Sequence, residues 1–337
     1  MKTYEILKKL SDAVCVGEIN EAEKIAAELL SRYCEIKTCK DGTIYGFIDN
    51  KKDKTLLIDA HIDEIAMTVL SVSDKGFLKV AKMGGIDPRM LPAMRVKVWG
   101  KEVIKGVFGS TPPHIRSGNA QPDFDSLYID TGLGAKAKEL IPLGSIVSFD
   151  VEAQLLENNR FTGKSIDNRA SVSSLIKIAE IIAKSEKPRY NVAFLLSRQE
   201  ELGLRGAQTS AFEINPDECI VVDVTFGNLP GIPSHKTGVV GKGPMIGISP
   251  ILSKEVTEDL KSAAYESKNN VLFEIMGSRT STNADVISIS RSGVKTGLIS
   301  IPIRNMHTPT ELVAIDDIDS TAEILAKYIE IGGKENA

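Results

Sequence analysis

Several apolar, strand-like runs of this chain end at or near acidic or histidine residues, and this pattern constrains the fold more than any other feature. The runs cover 56–60, 192–197, 219–222 and 298–302, and they precede His61, Glu200-Glu201, Asp223 and His307. Short apolar runs of this kind are typical of strands that are buried on both faces of a sheet. Because ligands collect where the carboxyl ends of parallel strands meet, we expect these side chains to converge.

Helical and strand patterns alternate over most of the chain. Helices are predicted at 3–13, 19–32, 168–184, 254–267, 284–291 and 315–331, and strands at 34–39, 43–48, 56–60, 192–197, 221–223, 271–275 and 296–301. Between about 65 and 160 the pattern changes to short alternating strands broken by glycine and proline. The sequence therefore predicts an α/β fold: a mostly parallel sheet flanked by helices, with an inserted small all-β domain.

The bulk composition excludes several classes of protein. The 337 residues carry a net charge of −4 without a basic cluster, which argues against a nucleic-acid partner. No run approaches the ~20 apolar residues needed to cross a membrane, and the amphipathic N-terminus does not resemble a signal peptide. The four cysteines form no CxxC pair, so we interpret them as reduced thiols of a cytoplasmic protein.

His61 and Asp63 form the first candidate pair. Residues two apart in extended backbone share a face, so Asp63 is placed to hold one ring nitrogen of His61 while the other binds a metal. Taken alone, this pair is more typical of a surface histidine beside solvated acids. Asp167 also has two interpretations, because it either caps the helix that follows or bridges two metals with its two carboxylate oxygens.

Glu200 and Glu201 precede a Leu-Gly-Leu-Arg-Gly-Ala segment that predicts a tight turn into a short helix. Adjacent acids are common on surfaces, but at such a turn one carboxylate can bind a metal while the other accepts a proton from water.

Asp223 closes a buried strand, which is costly unless the carboxylate is paired or binds a cation. His307 follows another buried strand. His235 lies in a Gly/Pro-rich loop and His114 in the inserted region. Neither stands in a residue pattern that suggests a metal ligand.

Together these residues supply two histidines, three carboxylates and one spare glutamate. Each of these residues is ambiguous alone, but the ordered set predicts a site for two divalent metal ions. In two-metal sites the ions lie about 3.5–4 Å apart. The ligand types suit zinc, with cobalt or manganese as alternatives.

At this point the chain resembles the M42 family of metallo-aminopeptidases, which includes glutamyl and deblocking aminopeptidases, proteins called endoglucanase M and tetrahedral aminopeptidases. The resemblance covers nearly the whole chain and depends on the segments at 60–65, 163–169, 199–207, 222–225, 241–244 and 300–309. The related M20 and M28 peptidases have a similar ligand order. M20 enzymes carry a large domain between the last two ligands, whereas here Asp223 and His307 are only 84 residues apart.

The resemblance implies two domains and a role for each site residue. Residues 1–64 plus 161–337 would form the zinc-peptidase-like catalytic domain, and 65–160 a barrel-like or PDZ-like oligomerisation domain. Asp167 would bridge both metals, His61 and Asp223 would complete one metal site, and Glu201 and His307 the other. Glu200 would be the general base and Asp63 would orient His61. The Asp167–Asn168 peptide is cis in related enzymes.

The resemblance further implies hydrolysis of N-terminal residues from short peptides, and self-association through dimers into a tetrahedral dodecamer. The chain departs from the family pattern in the loop at 225–231, which lacks an acid, and at Asn283, where aspartate is common. Three alternatives remain: a metal-dependent deacylase, a glycoside hydrolase on the same scaffold, and a non-catalytic, metal-stabilised assembly module. A glycosidase usually needs two metal-free carboxylates, and the module has no evident use for Glu200.

Overall fold

The structure is a computed structural model that describes residues 1–112, 114, 121–185 and 188–332. Its strands are Cys15–Val16 (β1), Ile19–Asn20 (β2), Glu35–Thr38 (β3), Ile44–Ile48 (β4), Thr55–His61 (β5), Ala66–Val72 (β6), Leu78–Met83 (β7), Arg95–Trp99 (β8), Val103–Phe108 (β9), Ile129–Asp130 (β10), Ile146–Phe149 (β11), Gln154–Leu156 (β12), Arg160–Gly163 (β13), Asn191–Ser197 (β14), Glu218–Phe226 (β15), Met245–Ile248 (β16), Leu272–Ile275 (β17), Lys295–Arg304 (β18) and Glu311–Ala314 (β19). Its α-helices are Thr3–Asp12 (α1), Glu21–Leu30 (α2), Ala137–Leu140 (α3), Ile166–Ile182 (α4), Arg205–Ile214 (α5), Lys254–Glu266 (α6), Ala284–Ile287 (α7) and Ile315–Ile331 (α8).

An 11-stranded sheet forms the centre of the main domain, in the order β12-β13-β19-β18-β15-β5-β14-β4-β3, with β16 paired to β18 and β17 paired to β16. The four central strands β18, β15, β5 and β14 run parallel. The outer strands are mostly antiparallel, so the sheet as a whole is mixed. The predicted α/β class is confirmed, and the expected parallel pairing holds for the centre of the sheet.

The predicted all-β insertion is a separate closed barrel of strands β10-β7-β6-β11-β8-β9. Its interior is filled by alternate apolar side chains, among them Val80, Val96, Val98, Ile129 and Val147. Strand β12, which lies within the range predicted for the insertion, pairs with β13 at the edge of the main sheet.

Alternate residues of the central strands face opposite sides of the sheet. Leu56 and Ile58 of β5 pack with Val222 of β15 against the side covered by α1, α2, α4, α6 and α8. Leu57 of β5 and Val221 of β15 face the other side, which α5 and α7 cover. Since side chains alternate along a strand, residues 59, 61 and 223 belong to this second side.

Several predicted boundaries differ from the structure. The helix expected at 284–291 ends at Ile287, because a Ser-rich turn follows and Arg291 adopts a positive φ of 52°. Strand β15 is longer than the predicted 221–223. The short strands β12, β13, β16 and β19 were not predicted, since none carries a long apolar or alternating run. Among the described residues, no helix combines the length and the apolar character required to cross a bilayer.

Candidate metal centre

The strand ends bring the five predicted metal ligands into one cavity of about 270 Å³. His61 is the last residue of β5, and Asp223 lies on the neighbouring parallel strand β15. Asp167 lies at the start of α4, where the backbone is not yet helical (ψ 99°), and the Asp167–Asn168 peptide is cis, as the resemblance implied. Glu201 follows β14 and His307 follows β18.

His61, Asp167 and Asp223 form the first group of candidate ligands. The Nε2 atom of His61 lies 3.0 Å from Oδ1 of Asp167 and 3.8 Å from Oδ1 of Asp223. All three residues are buried, and their candidate ligand atoms lie within 4.8 Å of one another.

Asp167, Glu201 and His307 form the second group. The Nε2 atom of His307 lies 3.3 Å from Oδ2 of Asp167 and 3.4 Å from Oε1 of Glu201. Asp167 therefore presents one oxygen to each group. Its side chain accepts no backbone N–H bond at the helix start among the described contacts, which favours the bridging interpretation over the helix cap.

Asp63 and Glu200 lie beside these groups. The carboxylate of Asp63 is 3.5 Å from Nδ1 of His61. It also accepts the backbone N–H groups of Glu200 (3.0 Å) and Glu201 (3.2 Å), and thereby holds the turn that carries both glutamates. Glu200 lines the cavity but belongs to neither ligand group.

Glu311 supports the centre and was missed by the sequence analysis. This buried glutamate accepts the backbone N–H of Asp167 at 2.9 Å and that of His307 at 2.8 Å. It therefore fixes two ligand-bearing segments from strand β19. The only signal was a glutamate four residues after His307, in a strand too short to predict.

Gly84 and Gly85, at the end of barrel strand β7, also reach the centre and were not predicted to do so. The carbonyl oxygen of Gly85 lies 3.1 Å from Nδ1 of His307. A Cβ atom on Gly85 would lie 2.5 Å from the same Nδ1, and one on Gly84 would lie 2.8 Å from Ile65. The inserted barrel thus touches the main-domain site through backbone that only glycine accommodates.

Burial and crowded charge perturb the pKa values of five side chains at this centre. Burial, together with the charge of Asp167, raises the pKa of Glu201 to about 8, and burial raises that of Glu200 to about 7. Burial also raises the pKa of Asp223 well above its usual range. Contact with Asp167 raises the pKa of His307 to about 9. Burial alone would lower the pKa of His61, but the neighbouring carboxylates raise it well above normal.

The residues present fit a pair of divalent cations. Five carboxylates and two histidines line one cavity, and no lysine or arginine is among the described residues that line it. Buried carboxylates at such short separations are costly without compensating positive charge. Imidazole and carboxylate donors in two groups that share one aspartate suit zinc and similar metals.

The remaining residues of interest lie outside the centre. His235 is exposed in a short turn of helix, and His114 is exposed between residues that the structure does not describe. All four cysteines are free thiols. Asn283 is buried, and its amide donates to Asp59 (2.8 Å) and Ser197 (2.9 Å) behind the ligands.

Comparison with known proteins agrees with this geometry. The family model described as M42 glutamyl aminopeptidase matches residues 42–324. The lysyl aminopeptidase of Pyrococcus furiosus is 29% identical over 98% of this chain and 97% of its own length.

Solved structures agree over almost the full chain. Aminopeptidase APDkam598 of Desulfurococcus kamchatkensis has a TM-score of 0.91 and 31% identity, covering 98% of this chain and 95% of its own. The TET1 peptidase of Pyrococcus horikoshii, which can assemble into a tetrahedron or a large octahedral shell, has a TM-score of 0.85 and 25% identity, covering 97% and 99%. The chain therefore belongs to the M42 family of peptidases and is a peptide hydrolase.

Proposed function

We propose that this protein is a two-metal aminopeptidase that removes N-terminal residues from short peptides. His61 and Asp223 would hold one divalent ion, Glu201 and His307 the other, and Asp167 both. The observation that carries the proposal is the position of Asp167, whose two oxygens face two separate ligand groups. Zinc is the ion that best suits the donor set, with cobalt or manganese as substitutes.

The bound ions would supply Lewis acidity at the scissile carbonyl and lower the pKa of water. Glu200 is the general base that accepts a proton from the attacking water and then donates it to the leaving amine. Asp63 positions this base by accepting the backbone N–H groups of residues 200 and 201. Its carboxylate also lies 3.5 Å from Nδ1 of His61 and orients the ring.

We further propose that the protein is cytoplasmic and self-associates, with the barrel domain, predicted at 65–160, making contacts between subunits. The shell-forming TET1 peptidase supports assembly because the two chains match over nearly their whole lengths. A dodecamer built from dimers is the form we expect. The barrel exposes apolar side chains, including Leu70, Val103 and Leu143, that would be covered in such an assembly.

Replacing Glu200 by glutamine tests the proposed base. Glu200→Gln should lower turnover of aminoacyl-anilides by at least about 100-fold, because it removes the proton acceptor. Metal content, measured by elemental analysis after dialysis, should stay at the wild-type value, since Glu200 is in neither ligand group. The matched control is Glu266→Gln on the exposed end of α6, which should leave both quantities unchanged.

Two results would contradict this proposal. Loss of metal from Glu200→Gln in parallel with activity would make Glu200 a ligand. Full activity after complete removal of metal by a chelator would favour a metal-free hydrolase on the same scaffold.

A further inference from the structure

The cavity that contains the metal centre holds one carboxylate that the proposed mechanism does not use. Glu274 lies on β17 and lines the cavity together with Asp167, Glu200, Glu201 and Asp223. It is half-buried and belongs to neither group of candidate ligands. Within the described residues it forms no ion pair, and no lysine or arginine lines the cavity with it.

The side chain of Glu274 is tied to the strand that carries a ligand. Its Oε1 atom accepts a hydrogen bond of 2.6 Å from the hydroxyl of Thr225, which is buried. Thr225 follows Asp223 by two residues on β15, so both side chains project from the same face, about 6.6 Å apart along the strand. This hydrogen bond holds the Glu274 carboxylate next to strand β15 and leaves its Oε2 atom without a described partner.

The charges of the cavity give Glu274 a distinct role. Two divalent cations would carry four positive charges, as many as the negative charges of the other four carboxylates that line the cavity, those of Asp167, Glu200, Glu201 and Asp223. Glu274 then adds a negative charge that nothing in the described lining compensates. A half-buried carboxylate of this kind is stabilised by a positive group supplied by the substrate.

The apolar lining favours a long, aliphatic side chain in the same space. Phe226 and Met306 line the cavity beside the carboxylates. Lysine and arginine bury their methylene groups against apolar surface while the charged end reaches a polar partner. The cavity of about 270 Å³ therefore has both parts that such a side chain requires.

We propose that Glu274 selects substrates whose N-terminal residue has a cationic side chain, lysine or arginine. The proposal rests on the aminopeptidase function proposed above and names the substrate class of that site. Thr225 is the positioning residue for Glu274. A glutamyl side chain would meet the uncompensated carboxylate, so we expect glutamyl substrates to be the poorest of the panel.

The test compares kcat/KM of the metal-loaded full chain on lysyl-, arginyl-, norleucyl- and glutamyl-anilides. Norleucine has the length of lysine without its charge, so the lysyl-to-norleucyl ratio isolates recognition of the ammonium group. Charge-assisted hydrogen bonds in sites of this kind discriminate by about tenfold to 100-fold. We expect wild type to favour lysyl over norleucyl by at least about tenfold, and Glu274→Gln to lose most of that ratio through a lower kcat/KM for the lysyl substrate.

Two variants sharpen the result. Thr225→Val should weaken the lysyl preference less than Glu274→Gln, chiefly through KM, because it frees the carboxylate without removing it. Glu266→Gln, an exposed control, should keep the wild-type ratio. Free lysine should inhibit wild type more strongly than free norleucine does, and this difference should shrink in Glu274→Gln together with the lysyl-to-norleucyl ratio. The inhibition constants report the binding of a ligand that is not itself hydrolysed.

The outcomes separate this proposal from the function on which it rests. If wild type hydrolyses norleucyl-anilide without a lysyl preference, the aminopeptidase assignment stands and the role of Glu274 is wrong. If Glu274→Gln lowers all substrates by the same factor, the carboxylate binds the α-ammonium group instead, which also overturns the proposal. Failure of wild type on every anilide would refute the proposed function itself.

Discussion

A buried ion cluster next to the candidate metal ligands gives the sharpest stability prediction. Glu64 accepts a 2.7 Å ion pair from Lys164 and a 3.4 Å contact from Arg169. The three side chains are 0–2% exposed. Glu64 also accepts the backbone N–H of Cys15 at 3.0 Å, so it joins the N-terminal segment to the start of α4. Among the described ion pairs, both buried cations therefore share the carboxylate of Glu64.

Replacing Glu64 by glutamine should lower the free energy of unfolding by about 3 kcal/mol. Removing one partner of a buried pair costs about 3–5 kcal/mol, because the remaining charge is left uncompensated. The lower end applies here, since the glutamine oxygen still accepts the Cys15 N–H and Lys164 can lose its proton. An unfolding entropy of about 2.1 cal/mol/K per residue gives about 0.7 kcal/mol/K for the 337 residues, so the melting temperature should fall by about 4 °C.

The pH dependence of this loss follows from the pKa shifts. The positive charges of Lys164 and Arg169 outweigh the effect of burial and hold the pKa of Glu64 below its usual value. The carboxylate of Glu64 therefore stabilises the folded state fully at pH values above its usual pKa. This contribution disappears as the pH falls through the lowered pKa. Burial lowers the pKa of Lys164, and loss of its proton at high pH relieves the variant. The difference between wild type and Glu64→Gln should therefore be largest near neutral pH and shrink towards both extremes.

Urea unfolding of both proteins, followed by circular dichroism at several pH values, measures the difference directly. Glu152→Gln is the control, because its ion pair with Lys8 lies on the surface and contributes little. Glu64→Gln combined with Lys164→Met should recover part of the loss. A single variant as stable as wild type at pH 7 would refute the reasoning, and so would a loss independent of pH.

Three further predictions concern the site and the assembly. Gly85→Ala should lower metal content and activity, because its Cβ would displace the imidazole of the second ligand group, whereas Gly277→Ala, with open space around it, should lower neither. Asp223→Asn should lose one of the two ions per chain and Asp167→Asn both, as measured by elemental analysis; equal losses would argue against a bridging aspartate. Leu143→Lys, on the exposed barrel surface, should shift the sedimentation profile to smaller species, and an unchanged profile would place the subunit contacts elsewhere.

The positions of the candidate ligands were predictable because they depend on strand ends. Buried parallel strands have a strong apolar signal, and a charged or polar residue that closes such a strand is unfavourable unless it is paired or binds a cation. The sequence therefore located His61, Asp223 and His307 at one edge of the sheet, where the structure places them. The barrel was predictable for a similar reason, since alternating strands broken by glycine and proline have no helical period.

The supporting contacts were not predictable, because they join residues far apart in sequence. Glu311 lies 144 residues from Asp167, and Gly85 lies 222 residues from His307. Neither has a local signal, since a lone glutamate and a pair of glycines occur in many loops. Glu274 escaped notice for the same reason, because only the pairing of β16 with β17 and β18 brings it to the cavity.

The topology also separates the candidate metal ligands from the residue proposed to select the substrate. Two candidate ligands, His61 and Asp223, lie on the central parallel strands β5 and β15, whose partners on both sides restrict any change. Glu274 lies on β17, which among the described strands pairs with β16 alone, at the margin of the sheet. A substitution there changes the charge of the cavity without disturbing the pairing of the strands that carry the ligands. Glu274→Lys should therefore reverse the preference towards acidic N-terminal residues while the metal content stays constant.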